Sequence, residues 1–272
     1  MDIFIEKYKT QNGVYILRDD LLPGGTKSIL IDSIVVDAEK KHSNPINEIV
    51  YASPCYGGFQ IALTLYCKNN NKNATIFCAK RKLRHPNTEI CLQNGANVIE
   101  VPYGYLSVVE KHAREYITSK KSGQVPLKIA FGANSSESVA LIASRAKRVI
   151  DTFYEICGKM PHEIWCAVGS GTLINGISQA VSMGTYGQGV GGDNISPIKI
   201  YGVQVGKEFR GSLPQNVTII VYPKPFEYAS KLQVDFPSMK NYDLKAFELC
   251  LEYNKMNVNV CEEKKILFWN VL

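Results

Sequence analysis

Metal-binding spacing is missing from this sequence. None of the eight cysteines pairs as CxxC, and the four histidines, at 42, 85, 112 and 162, stand far apart. No metal site and no thioredoxin-like redox motif is therefore expected. A run of ~18 apolar residues is also missing, so no membrane-spanning helix is expected. The opening stretch Met1-Asp2-Ile3-Phe4-Ile5-Glu6-Lys7 lacks the basic and apolar regions of a secretory signal. The expected compartment is the reducing cytoplasm, where disulfides are rare. Cysteines inside apolar runs, as in Ile76-Phe77-Cys78-Ala79 and Ile164-Trp165-Cys166-Ala167, then read as small buried hydrophobes. A strong charge bias is absent too. The net charge of +6, with 21% charged residues, admits an anionic ligand but does not point to nucleic acid, whose binding modules concentrate more charge on one face. The densest basic run is Lys80-Arg81-Lys82-Leu83-Arg84. It reads as a solvated loop, with an anion site as the second reading.

What is present is an ordinary globular balance, with 45% hydrophobic residues in 272, enough for one large domain or two modest ones. Short apolar runs alternate with stretches of helical period. Strands are predicted at 14–17, 48–53, 74–79, 98–101, 127–131, 163–168, 199–205, 217–221 and 266–270. Helices are predicted at 27–38, 57–68, 86–94, 106–118, 135–156, 172–183 and 243–254. This rhythm argues for mainly parallel sheets covered by helices, which bind ligands in the loops at the carboxyl ends of their strands. The Gly-rich stretch 182–196 and the polar stretch 255–265 are predicted to be exposed loops. A dip in hydrophobicity at His42-Ser43-Asn44-Pro45 marks a candidate crossing between domains.

Three strand-to-helix junctions carry candidate chemistry. The first is Leu21-Leu22-Pro23-Gly24-Gly25-Thr26-Lys27-Ser28. Its glycines let the backbone turn sharply. Lys27 then stands at a helix N-terminus, whose dipole disfavours an ammonium and favours the neutral amine that attacks an aldehyde. It is not a P-loop, because Thr26 precedes the lysine. The second is Val168-Gly169-Ser170-Gly171-Thr172, where backbone N–H groups and two hydroxyls are suited to cradle a phosphate. The third is Ser53-Pro54-Cys55-Tyr56-Gly57-Gly58-Phe59-Gln60, which is suited to place Ser53, Cys55, Tyr56 and Gln60 around a ligand at a strand's carboxyl end. Each junction read alone also fits a plain turn with a cap, an exposed lysine or a packing tyrosine.

In their order and contexts the three junctions resemble the tryptophan synthase β-subunit-like, or fold type II, family of pyridoxal-phosphate enzymes. The nearest branch is that of aminocyclopropane-carboxylate deaminase and D-cysteine desulfhydrase, whose cofactor lysine follows an acidic segment and a Pro-Gly-Gly-Asn pattern; this sequence has Arg18-Asp19-Asp20-Leu21-Leu22-Pro23-Gly24-Gly25-Thr26-Lys27. The segments 79–82, 101–105 and 267–270 resemble a phage and bacterial subgroup of the same family. The resemblance implies two three-layer α/β/α domains with the cofactor, pyridoxal 5′-phosphate, in the interdomain cleft. Residues 1–43 with 146–272 would form the larger domain, carrying Lys27 and the phosphate loop, and 44–145 the smaller, inserted one. Lys27 would hold the cofactor as a Schiff base, and Gly169, Ser170, Gly171 and Thr172 its phosphate. Cys55-Tyr56 stands where the family has a Ser-Asn or Gly-Asn pair, which makes both candidate catalytic residues beside Lys27. Tyr56 and Gly57 would then touch the cofactor, and Asn270, closing the last strand, is the candidate for its pyridine nitrogen.

The implied function is α,β-elimination, β-replacement or deamination of a small amino acid, in a homodimer. Two other readings stand beside it. The altered Cys55-Tyr56 pair suits a member of the fold that binds a cofactor or ligand without turnover, and the 80–84 run suits a nucleotide or nucleic-acid binder. Asp19 and Asp20 read as capping residues or partners of Arg18, and His85 as a loop histidine or a residue lining the cleft.

Overall fold

A computed structural model describes residues 2–41, 45–102, 104–120, 126–184, 197–206, 208, 216–256 and 264–271. Contacts divide the chain into two units, residues 1–21 with 134–272, and 22–133.

The first unit is built on a six-stranded sheet in the order β1-β2-β10-β7-β8-β9. Its strands are β1 (Ile5–Lys7), β2 (Val14–Arg18), β7 (Glu163–Val168), β8 (Lys199–Gln204), β9 (Val217–Val221) and β10 (Ile266–Asn270). All are parallel except β1, which runs antiparallel to β2 at one edge. Alternation along the strands sorts the core into two layers. Leu17, Ile164, Cys166, Val168, Leu267 and Trp269 face α5 (Ser136–Cys157) and α6 (Thr172–Met183). Ile16, Trp165, Ala167, Ile266 and Phe268 face α7 (Asp243–Met256). The result is a three-layer α/β/α unit, and the near-continuous burial of β7 and β10 follows from cover on both faces.

The second unit has a four-stranded, all-parallel sheet in the order β5-β4-β3-β6. Its strands are β3 (Glu48–Ala52), β4 (Asn73–Ala79), β5 (Asn97–Val101) and β6 (Leu127–Ile129). Its helices are α1 (Ser28–Lys41), α2 (Phe59–Asn69), α3 (Pro86–Gln93) and α4 (Leu106–Thr118). Val50, Ala52, Phe77 and Val101 pack under Val109 and Ala113 of α4. On the other face Tyr51 meets Phe59 of α2, with ring centroids 4.8 Å apart. This unit too is three-layered.

The two three-layer α/β/α units and the mainly parallel sheets are those expected. Three differences have local causes. The strand β1 was not foreseen, because three residues are too short for an alternation signal. The predicted strand 127–131 stops at Ile129, since Phe131–Ala133 form a 3₁₀ turn in which Gly132 has φ 69°. Contacts place α1 with the inserted unit, so Lys27 falls in the same unit as Cys55 and Tyr56, whereas the sequence had suggested boundaries at 44 and 145. The helix is joined to that unit by side chains: the Tyr66 hydroxyl donates to Asp32 at 3.4 Å, and the Lys72 ammonium meets Glu39 at 2.7 Å. The candidate crossing at 42–44, most of the Gly-rich stretch 182–196 and most of 255–265 lie outside the described residues. Among the described residues, no helix is long and apolar enough to cross a membrane. All seven described cysteines are free thiols, six of them buried. Burial pushes the Cys78 thiol up to about 11.

A buried ion pair sits at the carboxyl end of β2. Asp19 accepts from Arg145 of α5, through both Nε and Nη2, and from the indole N–H of Trp269 at 3.0 Å. Both charged residues are buried. Removing one partner of such a pair costs about 3–5 kcal/mol, because the other charge is left uncompensated. Asp19→Ala is expected to lower stability by about that amount, read as a shift of the urea unfolding midpoint.

Candidate functional site

Lys27 ends a turn that the sequence can make only with glycine. Gly24 and Gly25 have φ of 86° and 76°. A Cβ built on Gly24 would lie 2.3 Å from the Ala62 Cα, so α2 passes directly against this backbone. The Gly25 N–H donates to Leu22 O at 2.8 Å, and Lys27 O accepts a bond of the first turn of α1, from Leu30 N, at 3.1 Å. Lys27 is half-buried, with its Nζ 5.9 Å from the centroid of the Phe59 ring.

Phe59 also opens α2 just after the 53–58 loop, so this unit brings Lys27 together with the Cys55-Tyr56-Gly57 junction. The loop is organised by Gln60, which is fully buried. Its Nε2 donates to Gly57 O at 2.9 Å, Cys55 O at 3.1 Å and Pro54 O at 3.4 Å. Gln60 therefore shapes the loop from inside rather than facing a ligand, and Ser53, also fully buried, lies beneath it. Cys55 is buried. A Cβ on Gly57 would come within 2.9 Å of Ser53 Oγ. Tyr56 is half-buried, and Asn87 Nδ2 fixes its carbonyl at 3.0 Å. His85 is the N-cap of α3, its Nδ1 accepting from Asn87 N at 3.2 Å, and its ring stands edge-on to Tyr56.

The other predicted residues gather in the first unit. Adjacent parallel strands β7 and β10, with Trp269 level with Cys166, bring Gly169-Ser170-Gly171-Thr172 and Asn270 to the same sheet edge. Gly171 is the left-handed N-cap of α6, with φ 86°. The first-turn N–H groups of α6 have no carbonyl of a preceding turn to bond. Ser170 Oγ and Thr172 Oγ1 lie 3.1 Å apart beside them. This is a donor-rich cradle without a carboxylate of its own. Behind it, Tyr242 packs against Gly169, where a Cβ would come within 3.0 Å of its hydroxyl, and burial raises the pKa of that phenol.

Asn270 is fully buried. Its Nδ2 donates to Asp20 Oδ1 and to Pro237 O, both at 2.8 Å. Asp20 is in turn paired with Arg18, at 2.8 Å. The Asn270 Oδ1, and the Oγ of Ser238, which follows Pro237 in the chain, are buried with no hydrogen-bond partner among the described residues. Unsatisfied buried polar atoms of this kind cost about 1–3 kcal/mol each and call for a ligand or water. Sequence reading singled out Asn270 but not Ser238, which lies in an irregular stretch without a motif.

A family model described as pyridoxal-phosphate dependent enzyme matches residues 4–263. No curated protein matches the sequence. Among solved structures the chain is similar to an ACC deaminase homologue, with TM-score 0.74 and 19% identity over 95% of this chain and 83% of that one. It is similar to a hydrogen sulfide-producing enzyme from Fusobacterium nucleatum, with TM-score 0.69 and 14% identity over 99% and 94%. It is also similar to an O-acetylserine dependent cystathionine beta-synthase from Helicobacter pylori, with TM-score 0.65 and 16% identity over 99% and 91%.

His85 gives a pH prediction. Burial lowers its pKa, and its Nδ1 must keep a lone pair to cap α3. A histidine with a depressed folded pKa contributes stability above its unfolded value, about 6.5, and that contribution is lost as pH falls toward the lower folded value. The melting temperature is expected to drop below about pH 6.5, with a smaller drop in His85→Gln, measured by thermal scans across pH.

Proposed function

Because this chain belongs to the pyridoxal-phosphate-dependent enzymes, we propose that it acts on a small amino acid by α,β-elimination, β-replacement or deamination, with Lys27 as the residue that holds the cofactor. The observation that carries this reading is the placement of Lys27 at the start of α1, over Phe59 and beside the Cys55-Tyr56-Gly57 loop. When bound, pyridoxal phosphate supplies an electron sink for charge that develops on a substrate carbon.

The residues suit that group. Gly169, Ser170, Gly171 and Thr172 would bind its phosphate through N–H and hydroxyl donors. The orphaned Asn270 Oδ1 and Ser238 Oγ would serve the pyridine nitrogen. Asn270 offers only a lone pair there, since both its amide hydrogens are taken. The Tyr56 hydroxyl would donate to the ring oxygen, and Gly57 lets the loop come close. Lys27 would also take the proton from the substrate carbon as general base. Cys55 lies in the same loop and is proposed to help move that proton. The cytoplasm and a homodimer are the setting this reading carries with it.

Purified protein given pyridoxal phosphate should show a visible absorbance band that Lys27→Ala abolishes. A colourless protein that never acquires such a band would sink the cofactor role of Lys27. For the thiol, Cys55→Ala should keep the band and slow turnover by about a hundredfold or more, in the range typical of a lost proton-transfer group. An unchanged rate in single-turnover measurements with an amino-acid panel would remove Cys55 from the mechanism.

A further inference from the structure

The side chain of Asn270 is fully buried, and its amide is satisfied on one side only. Both hydrogens are spent, on Asp20 Oδ1 and on Pro237 O, each at 2.8 Å. Its Oδ1 has no partner among the described residues. Those two partners also fix which way the amide faces. Turned over, it would set its oxygen against a carboxylate oxygen and a carbonyl oxygen, neither of which has a hydrogen to give. A group that comes to lie against Oδ1 therefore meets an acceptor and has to bring the hydrogen.

Asp20 strengthens that acceptor. Its side chain is fully buried. It accepts from Arg18 Nε at 2.9 and 3.2 Å and from Arg18 Nη2 at 2.8 Å. An amide that donates to a carboxylate is polarised, with more negative charge on its own oxygen, and water screens this little in a buried place. Arg18 is shared in turn with Glu6, at 2.8 Å. Two carboxylates thus stand against one guanidinium, and the surroundings of Oδ1 favour a positive charge.

A pyridine nitrogen has two states. Neutral, it would face Oδ1 lone pair to lone pair. Protonated, it has one hydrogen and a positive charge, and answers both demands. We infer that Asn270 keeps a proton on the ring nitrogen of the cofactor, and that Asp20 acts through Asn270 as a positioning residue. This rests on the pyridoxal-phosphate reading and adds to it the charge state in which the ring is held. A protonated ring is the stronger electron sink, so these two residues bear on how readily a substrate carbon gives up its proton. The competing partner is Ser238, whose Oγ is also buried without one and whose hydroxyl could donate to a neutral nitrogen.

Protein loaded with pyridoxal phosphate that carries nitrogen-15 in its ring is followed by NMR, since a protonated ring nitrogen resonates far upfield of a neutral one. Wild type is expected to give the protonated signal at neutral pH, and Ser238→Ala to keep it. Asn270→Ser, which puts a hydroxyl in place of the acceptor, is expected to give the neutral signal. Asp20→Asn keeps an oxygen for the Asn270 amide and removes the charge. Its ring nitrogen is expected to lose the proton at a pH lower by about one unit or more, whereas a merely structural role for Asp20 would leave that titration unmoved. A neutral signal in wild type, a protonated one in Asn270→Ser or an unmoved titration in Asp20→Asn overturns the inference and leaves the cofactor reading standing. If Asn270→Ser does not fold, the wild-type signal and the Asp20→Asn titration decide. A protein that takes up no pyridoxal phosphate overturns both.

Discussion

The buried carboxylate of Asp19 ties together three parts of its unit that lie far apart in the chain. It ends β2, binds the guanidinium of Arg145 from α5 and accepts the indole hydrogen of Trp269 from β10. A charge in such a place is tolerable only while every partner stays put. Its neighbour Asp20 extends the constraint, bridging Arg18 and the amide of Asn270. Two consecutive carboxylates therefore fix the level at which β10 ends relative to β2, and hold Asn270 beside the strand that leads into the Gly169-Ser170-Gly171-Thr172 loop. The position of a polar atom at the sheet edge is set by ion pairs rather than by local backbone preference.

Much of the architecture was legible because both sheets are covered on two faces. Strands such as Glu163–Val168 then read as unbroken apolar runs, and helices such as Leu106–Thr118 as clean 3.6-residue patterns between turn residues. What stayed hidden depends on contacts between distant residues. That Arg145 serves Asp19, or that α1 is pinned by Lys72 and Tyr66, leaves no trace in any window of sequence. The grouping of α1 with the inserted unit was hidden for this reason.

The same division holds at the candidate site. The turns that carry Lys27 and the glycine loop were readable as turns, because a sharp turn into a helix must be written with glycine and small polar residues. Ser238 was not, since nothing in its segment has periodicity and only its buried hydroxyl oxygen without a partner marks it. His85 was read as a loop residue, but its imidazole caps α3 and packs on Tyr56. Gln60 was read as a ligand contact, but its amide serves the loop's own carbonyls.

That role of Gln60 has a consequence for how the loop can change. In a trans peptide the N–H points away from the carbonyl. Turning the carbonyls of Pro54, Cys55 and Gly57 inward to one buried amide turns the following N–H groups outward. The loop's outer face is therefore electropositive whatever side chains it carries. Its shape is stored in a helix residue outside it, so positions 55 and 56 can be exchanged, in evolution or by design, without rebuilding the backbone that presents them.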